Sequence, residues 1–102
     1  MIELYQAEWC PHSHRVRQRL TELGFDFVAR QFAVEPAERS ELERVSGRRS
    51  IPTLVLDDGS VLGGDEEIIA ALDRRFPEPP AAIRHRGKAI EEWPEWVRLA
   101  GR

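Results

Sequence analysis

Short apolar runs alternate along this chain with amphipathic stretches. Ile2-Glu3-Leu4-Tyr5-Gln6 reads as a strand. From Pro11 onward Val16, Leu20 and Leu23 recur at helical spacing up to Gly24, a C-cap residue. Phe25-Asp26-Phe27-Val28-Ala29 follows as a second strand, adjacent to the first in a βαβ unit. Residues 37–46 read as a helix with Leu42 and Val45 facing inward and Gly47 closing it. A buried strand over residues 50–56 is entered through Pro52, and Asp57-Asp58-Gly59-Ser60 is a hairpin turn that pairs Val61-Leu62 antiparallel with it. Gly63-Gly64 interrupts the chain. Asp65 then opens a helix with a core face of Ile68, Ile69, Leu72 and Phe76, ended by Pro77, Pro79 and Pro80. The order is β-α-β-α-β-β-α, an α/β fold with a tail. Residues 81–90 of that tail are predicted helical, with a break or kink at Trp93-Pro94-Glu95-Trp96. Two tryptophans are costly to expose, so the tail is expected to pack back on the domain or on a second copy.

Composition narrows the class of protein. A chain of 102 residues is one domain with a modest core. Its formal charge of −3 argues against a dedicated nucleic-acid binder. No apolar run approaches the roughly 20 residues that span a bilayer, and Met1-Ile2-Glu3 lacks the pattern of a signal peptide, so no membrane association is expected. One cysteine forms no internal disulfide, and the cytoplasm is the expected location.

That cysteine, Cys10, stands where the first strand feeds the first helix. Helix starts carry unpaired N–H groups and roughly half a positive charge, and both favour a thiolate. Pro11 suits the first helical turn, where a missing N–H costs nothing. A lone cysteine is also commonly a buried structural residue, and position alone leaves both readings open. His12, His14, Arg15, Arg17 and Arg19 crowd the same helix. They form either a solvated face or a field that favours thiolate and attracts anionic substrates.

Three motifs then point to a family. Cys10-Pro11-His12-Ser13 resembles the Cys-Pro-Tyr-Cys site of glutaredoxins in a one-thiol form. Gly47-Arg48-Arg49-Ser50-Ile51-Pro52 resembles the stretch leading to their cis-proline, and Gly63-Gly64-Asp65-Glu66 the Gly-Gly-Cys-Asp segment before their last helix. The chain thus resembles the glutaredoxins, of thioredoxin-like fold, and the related N-terminal domain of glutathione S-transferases. The likeness covers residues 2–76. It implies a domain over residues 1–80, with a mixed four-stranded sheet flanked by helices. Residues 81–102 are left as a helical tail for packing or dimer contact.

The resemblance implies roles by position. Cys10 is the nucleophile, and Ser13 supports its thiolate. Trp9, Pro11, His12, Arg48, Arg49, Ile51, Pro52, Gly64, Asp65 and Glu66 line the groove for glutathione or another low-molecular-weight thiol. Ile51 offers its backbone to the cysteinyl portion. The amides at Asp65 and Glu66 receive the γ-glutamyl carboxylate, and Glu66, or else Asp65, pairs with the γ-glutamyl amino group. The family's usual lysine three residues before the cysteine is here Ala7, followed by Glu8, so Arg48 or Arg49 is expected to supply the cation. With serine in place of the resolving cysteine, the expected activity is reduction of glutathione mixed disulfides, on a glutathionylated protein or a small-molecule disulfide, by a monomer or weak homodimer. The alternatives are a transferase-like protein and a carrier of an iron-sulfur cluster or adaptor without catalysis, the cluster being disfavoured by Pro11 and the absent lysine.

Overall fold

The first helix shows how sequence becomes scaffold in this protein, seen in a computed structural model that describes residues 1–101. Helix α1 spans Pro11–Leu23 and buries Val16, Leu20 and Leu23 on one face. Gly24 ends it in the left-handed region (φ 79°), from where its own N–H reaches back to the Thr21 carbonyl and the Phe25 N–H reaches that of Leu20. Phe25 is therefore spent on the helix cap, and strand β2 starts later than predicted, at Val28–Arg30. The Phe25 ring meets Phe76 edge-on with centroids 4.7 Å apart.

Strand β1 (Glu3–Tyr5) runs parallel to β2 and antiparallel to β3 (Thr53–Val55), which pairs antiparallel with β4 (Val61–Gly63). The mixed sheet has the order β2-β1-β3-β4. Leu4 sits opposite Leu54, and Leu54 opposite Leu62, so one cross-strand row carries leucines into the core. That core gathers Ile2, Leu4, Leu54 and Leu56 from the sheet side with Val16, Leu20 and Leu23 of α1 and Ile68 and Leu72 of α3 (Asp65–Arg75). Each fully buried leucine contributes about 2 kcal/mol by leaving water. The arrangement is the thioredoxin-like α/β fold.

The predicted helix over 37–46 is divided. A 3-10 turn, Pro36–Glu38, precedes α2 (Ser40–Ser46), and Arg39 stands between them with φ −96° and ψ 46°. Its buried guanidinium donates to the carbonyls of Ala33, Val34 and Arg49, tying the loop after β2 to the segment before β3. Arg39 supplies these backbone carbonyls with a donor at the cost of helical continuity.

The tail is one helix, α4 (Ala82–Ala100), rather than a helix broken near residue 93. Pro94 lies inside it, and a proline there deprives only the Ile90 carbonyl of its intrahelical donor, on an exposed stretch where water can replace it. Arg102, last residue of the predicted tail, lies outside the described residues. Helix α4 packs on α1: Gln18 donates to the His85 carbonyl at 3.3 Å, and Arg86 pairs with buried Glu22 at 3.1 Å. Glu22 also receives Arg19 at 2.8 Å, and Arg19 reaches Asp73 of α3 at 2.8 Å. One buried carboxylate thus anchors a charge network across three helices. Among the described residues no helix is long and apolar enough to cross a membrane.

Candidate active site

Strand pairing assembles the site. Tyr5, at the end of β1, pairs with Thr53, the first residue of β3, and Thr53 pairs with Gly63, the last of β4. The loop carrying Cys10, the Ile51-Pro52 step and the Gly64-Asp65 turn therefore emerge at the same end of the sheet. The Ile51–Pro52 peptide bond is cis, and the Pro52 carbonyl accepts the Gly64 N–H at 3.0 Å. Gly64 holds φ 85°, a conformation that side chains rarely adopt, as the N-cap of α3.

Cys10 is the N-cap of α1. Its Sγ accepts the backbone N–H of Ser13 at 3.4 Å, and its side chain is buried apart from a 7% exposed fraction. Ser13 is fully buried, and its hydroxyl oxygen accepts the Ala7 N–H at 3.4 Å. The donor to the sulfur is thus the Ser13 amide, while the Ser13 side chain braces the loop that leads to Cys10. Pro11 at the first helical position keeps φ helical without spending a donor.

Asp65 joins the two helix starts. Its carboxylate lies 3.1 Å from His12 Nδ1 and accepts Arg15 at 2.5 Å, both from α1. Burial pushes the Asp65 carboxyl up, but the hydrogen bonds from His12 and Arg15 outweigh it and hold the group below its ordinary value. Asp65 is thereby committed to α1, whereas the Glu66 side chain is exposed.

The two arginines before the cis-proline part company. Arg48 turns toward the β3–β4 edge, donating to Ser50 Oγ at 2.7 Å and to Thr53 Oγ1 at 3.4 Å. It lies so close over Gly63 that a Cβ there would fall 2.1 Å from the Arg48 Cζ. Gly63 is therefore small to admit Arg48. Arg49 turns the other way, donating to the carbonyls of Pro36 and Ala37 and pairing with Glu43 of α2.

A cleft of about 300 Å³ opens beside the thiol, lined by Glu8, Trp9, Cys10, Pro11, His14, Trp93 and Trp96. Trp93 and Trp96 stack with centroids 4.9 Å apart and planes 12° from parallel, and the His14 ring lies 6.4 and 6.0 Å from them. This aromatic wall, the Arg15–Asp65 pair and the seat for Arg48 on Gly63 are the parts that sequence reasoning missed. The spacing of Trp93 and Trp96, neighbours on one helix face, was the available signal for the first of them.

The comparisons with known proteins agree with this fold. The family described as Glutaredoxin matches residues 2–61. Glutaredoxin 3 of Escherichia coli K12 is 32% identical over 74 residues, which cover 72% of this chain and 87% of that protein. A glutathione S-transferase of Rhodospirillum rubrum superposes on 91% of this chain with a TM-score of 0.67 and 27% identity. A glutathione S-transferase of Methylobacterium radiotolerans, solved in complex with glutathione sulfonate, covers 78% of the chain with a TM-score of 0.67 and 25% identity. The chain spans less than half the length of these two transferases, 44% and 37% respectively.

Proposed function

The chain belongs to the glutaredoxin family, and from that premise we propose that it is a glutathione-dependent oxidoreductase acting through Cys10 alone on glutathione mixed disulfides. One observation carries the reading: the only cysteine caps a helix, with its sulfur on the Ser13 amide, and the place of a second thiol is taken by a buried serine. The Cys10 sulfur attacks the glutathionyl sulfur of the mixed disulfide, a new S–S bond forms, and the substrate leaves as a thiolate that takes a proton from water. A second glutathione thiolate attacks the Cys10–glutathione bond, releasing oxidised glutathione and restoring Cys10.

The groove supplies binding groups suited to a tripeptide thiol. The Ile51 backbone beside the cis bond is placed to meet its cysteinyl portion. The first-turn N–H groups of α3 suit its γ-glutamyl carboxylate. Glu66 suits its amino group, since Asp65 is engaged by α1. Arg48 suits its glycyl carboxylate, whereas Arg49 is spent on α2. Trp9 and Pro11 border the thiol, while the His12 ring turns to Asp65. The partner is a glutathionylated protein or a small-molecule disulfide, and the cycle suits the reducing cytoplasm, where glutathione is supplied reduced.

The test is the intact mass of the protein after incubation with oxidised glutathione, before and after reduced glutathione is added. One adduct on Cys10, removed by the reduced thiol, is the expected result. Cys10→Ser should keep the fold and show no exchange; residual exchange in that variant overturns the assignment. The aromatic cleft beside Cys10 favours a second reading, transfer of glutathione to a small apolar electrophile. Under that reading Cys10→Ser still conjugates.

A further inference from the structure

Exchange at Cys10 moves a proton as well as a sulfur. The attacking thiol must lose one, and the thiol that leaves must gain one. Cys10 is 7% exposed, so few waters reach its sulfur. A side chain fixed in the same cleft does this work better than bulk water, by about 10²–10⁴-fold where the geometry suits.

Three side chains lining the cleft can carry a proton: Glu8, His14 and Cys10 itself. The Glu8 side chain is 73% exposed and paired with Arg17 at 3.3 Å. His12, nearer in sequence, turns its ring to Asp65 at 3.1 Å. His14 is left. Its amide donates to the Cys10 carbonyl at 3.0 Å, so it stands one helical turn along on the same face of α1. Side chains so placed lie about 5–6 Å apart at their Cβ atoms, a gap that an imidazole closes directly or through one water. Histidine is also the side chain that takes up and gives back a proton near neutral pH.

The surroundings hold that ring and leave its nitrogens free. The half-buried imidazole makes no hydrogen bond or ion pair among the described residues. The Trp93 and Trp96 rings stand 6.4 and 6.0 Å from it, and aromatic faces at about 6 Å attract a cation. The charged side chains around it are engaged elsewhere. Arg15 is bound to Asp65, Arg19 and Glu22 to each other, and Glu92 of α4 to Lys88 at 3.4 Å. From α3 the side chain on this side is Ile69, which is uncharged.

We propose that His14 is a catalytic residue of the exchange and carries the proton from one thiol to the other. The Cys10 S–H proton passes to the imidazole, and the Cys10 sulfur attacks the glutathionyl sulfur. As the new S–S bond forms and the old one breaks, the imidazolium gives that proton to the leaving thiolate, which departs as a neutral thiol. In the second half, the incoming glutathione thiol gives its proton to His14. The Cys10 sulfur recovers that proton when oxidised glutathione leaves. His14 ends each half as it began, and takes the place of water in both. The role rests on Cys10 acting as the exchange nucleophile.

A series of leaving thiols tests it. Reduced protein is mixed at neutral pH with glutathione mixed disulfides of aryl thiols, which leave readily as anions, and of alkyl thiols, which do not. Rapid-quench intact mass reads the rate at which Cys10 takes up glutathione. With alkyl leaving groups His14→Gln should be slower than the parent by about 100-fold, and with aryl ones by about tenfold or less. His14→Asn should repeat the pattern, with circular dichroism confirming the fold of both variants. A loss of the same factor for every leaving thiol is what a purely structural histidine gives, and it overturns the role while exchange at Cys10 stands. A loss below about threefold throughout overturns it too. A parent that takes up no glutathione from any of the disulfides removes the exchange reading, and the role of His14 with it.

Discussion

Replacing Gly63 by alanine separates the position of Arg48 from its presence. The new Cβ would lie 2.1 Å from Arg48 Cζ and 2.3 Å from its Nε, so the guanidinium must leave its seat. The backbone does not object, because Gly63 is not among the glycines with positive φ. What is lost is the pair of hydrogen bonds to Ser50 and Thr53, at 2.7 and 3.4 Å. Hydrogen bonds of this kind contribute about 0.5–1.5 kcal/mol each, and the displaced guanidinium recovers much of that from water. Alanine adds about 0.5–1 kcal/mol by restricting the unfolded chain, so the urea midpoint should move by less than about 1 kcal/mol equivalent. The proposed glutathione groove should respond far more. A charge-assisted contact to a carboxylate is worth about 1.5–3 kcal/mol, and the lower end, suited to a half-exposed group, raises KM about tenfold. The assay is steady-state reduction of a glutathione mixed disulfide with glutathione varied, on Gly63→Ala, Arg48→Ala and the double variant. The two single losses should be alike and the double no worse than either, because both remove the same contact. A Gly63→Ala enzyme with unchanged KM, or a double variant whose losses add, refutes the reasoning.

Two further outcomes concern stability. The Asp65 carboxyl is held below its ordinary value in the fold, so its contribution is complete above the unfolded value near pH 4 and is lost as pH falls through the depressed folded value. Asp65→Asn should therefore be less stable than the parent at pH 7 and converge with it near pH 2, read by urea melts across pH; parallel curves over that range would show that the pairing with His12 and Arg15 carries no such linkage. Leu20→Ala, at a fully buried core position, should cost about 2–5 kcal/mol by equilibrium unfolding, and a loss under 1 kcal/mol would place Leu20 outside the core.

The features legible in the sequence are those set by local chemistry. Gly24 and Gly47 end helices because only a residue free to adopt positive φ does so cheaply, and both do. The turn at Asp57-Gly59 and the helix opening at Asp65 follow from the same kind of rule. Arg39 was illegible because fifteen cationic residues look alike in a string, and only the folded loop shows which one meets three backbone carbonyls. Arg48 and Arg49 are adjacent and identical, yet in the folded segment one lies over Gly63 and the other pairs with Glu43. Pro94 argued for a break, and local rules had no means to weigh the single carbonyl it frees against a helix already held at Arg86, Trp93 and Trp96.

The alignment of the candidate site is inherited from the core. Side chains alternate along a strand, so a slip of β3 by one residue against β1 would turn Leu54 out of the row it shares with Leu4 and Leu62. At about 2 kcal/mol for each exposed leucine, that slip would consume much of the stability available to a domain of this size. The same register sets Thr53 opposite both Tyr5 and Gly63, and so places the cis-proline between the Cys10 loop and the start of α3. Asp65 then locks the outer two of these segments together through His12 and Arg15. Substitutions at Leu4, Leu54 or Leu62 should therefore disturb thiol chemistry through the register even though none of the three belongs to the groove.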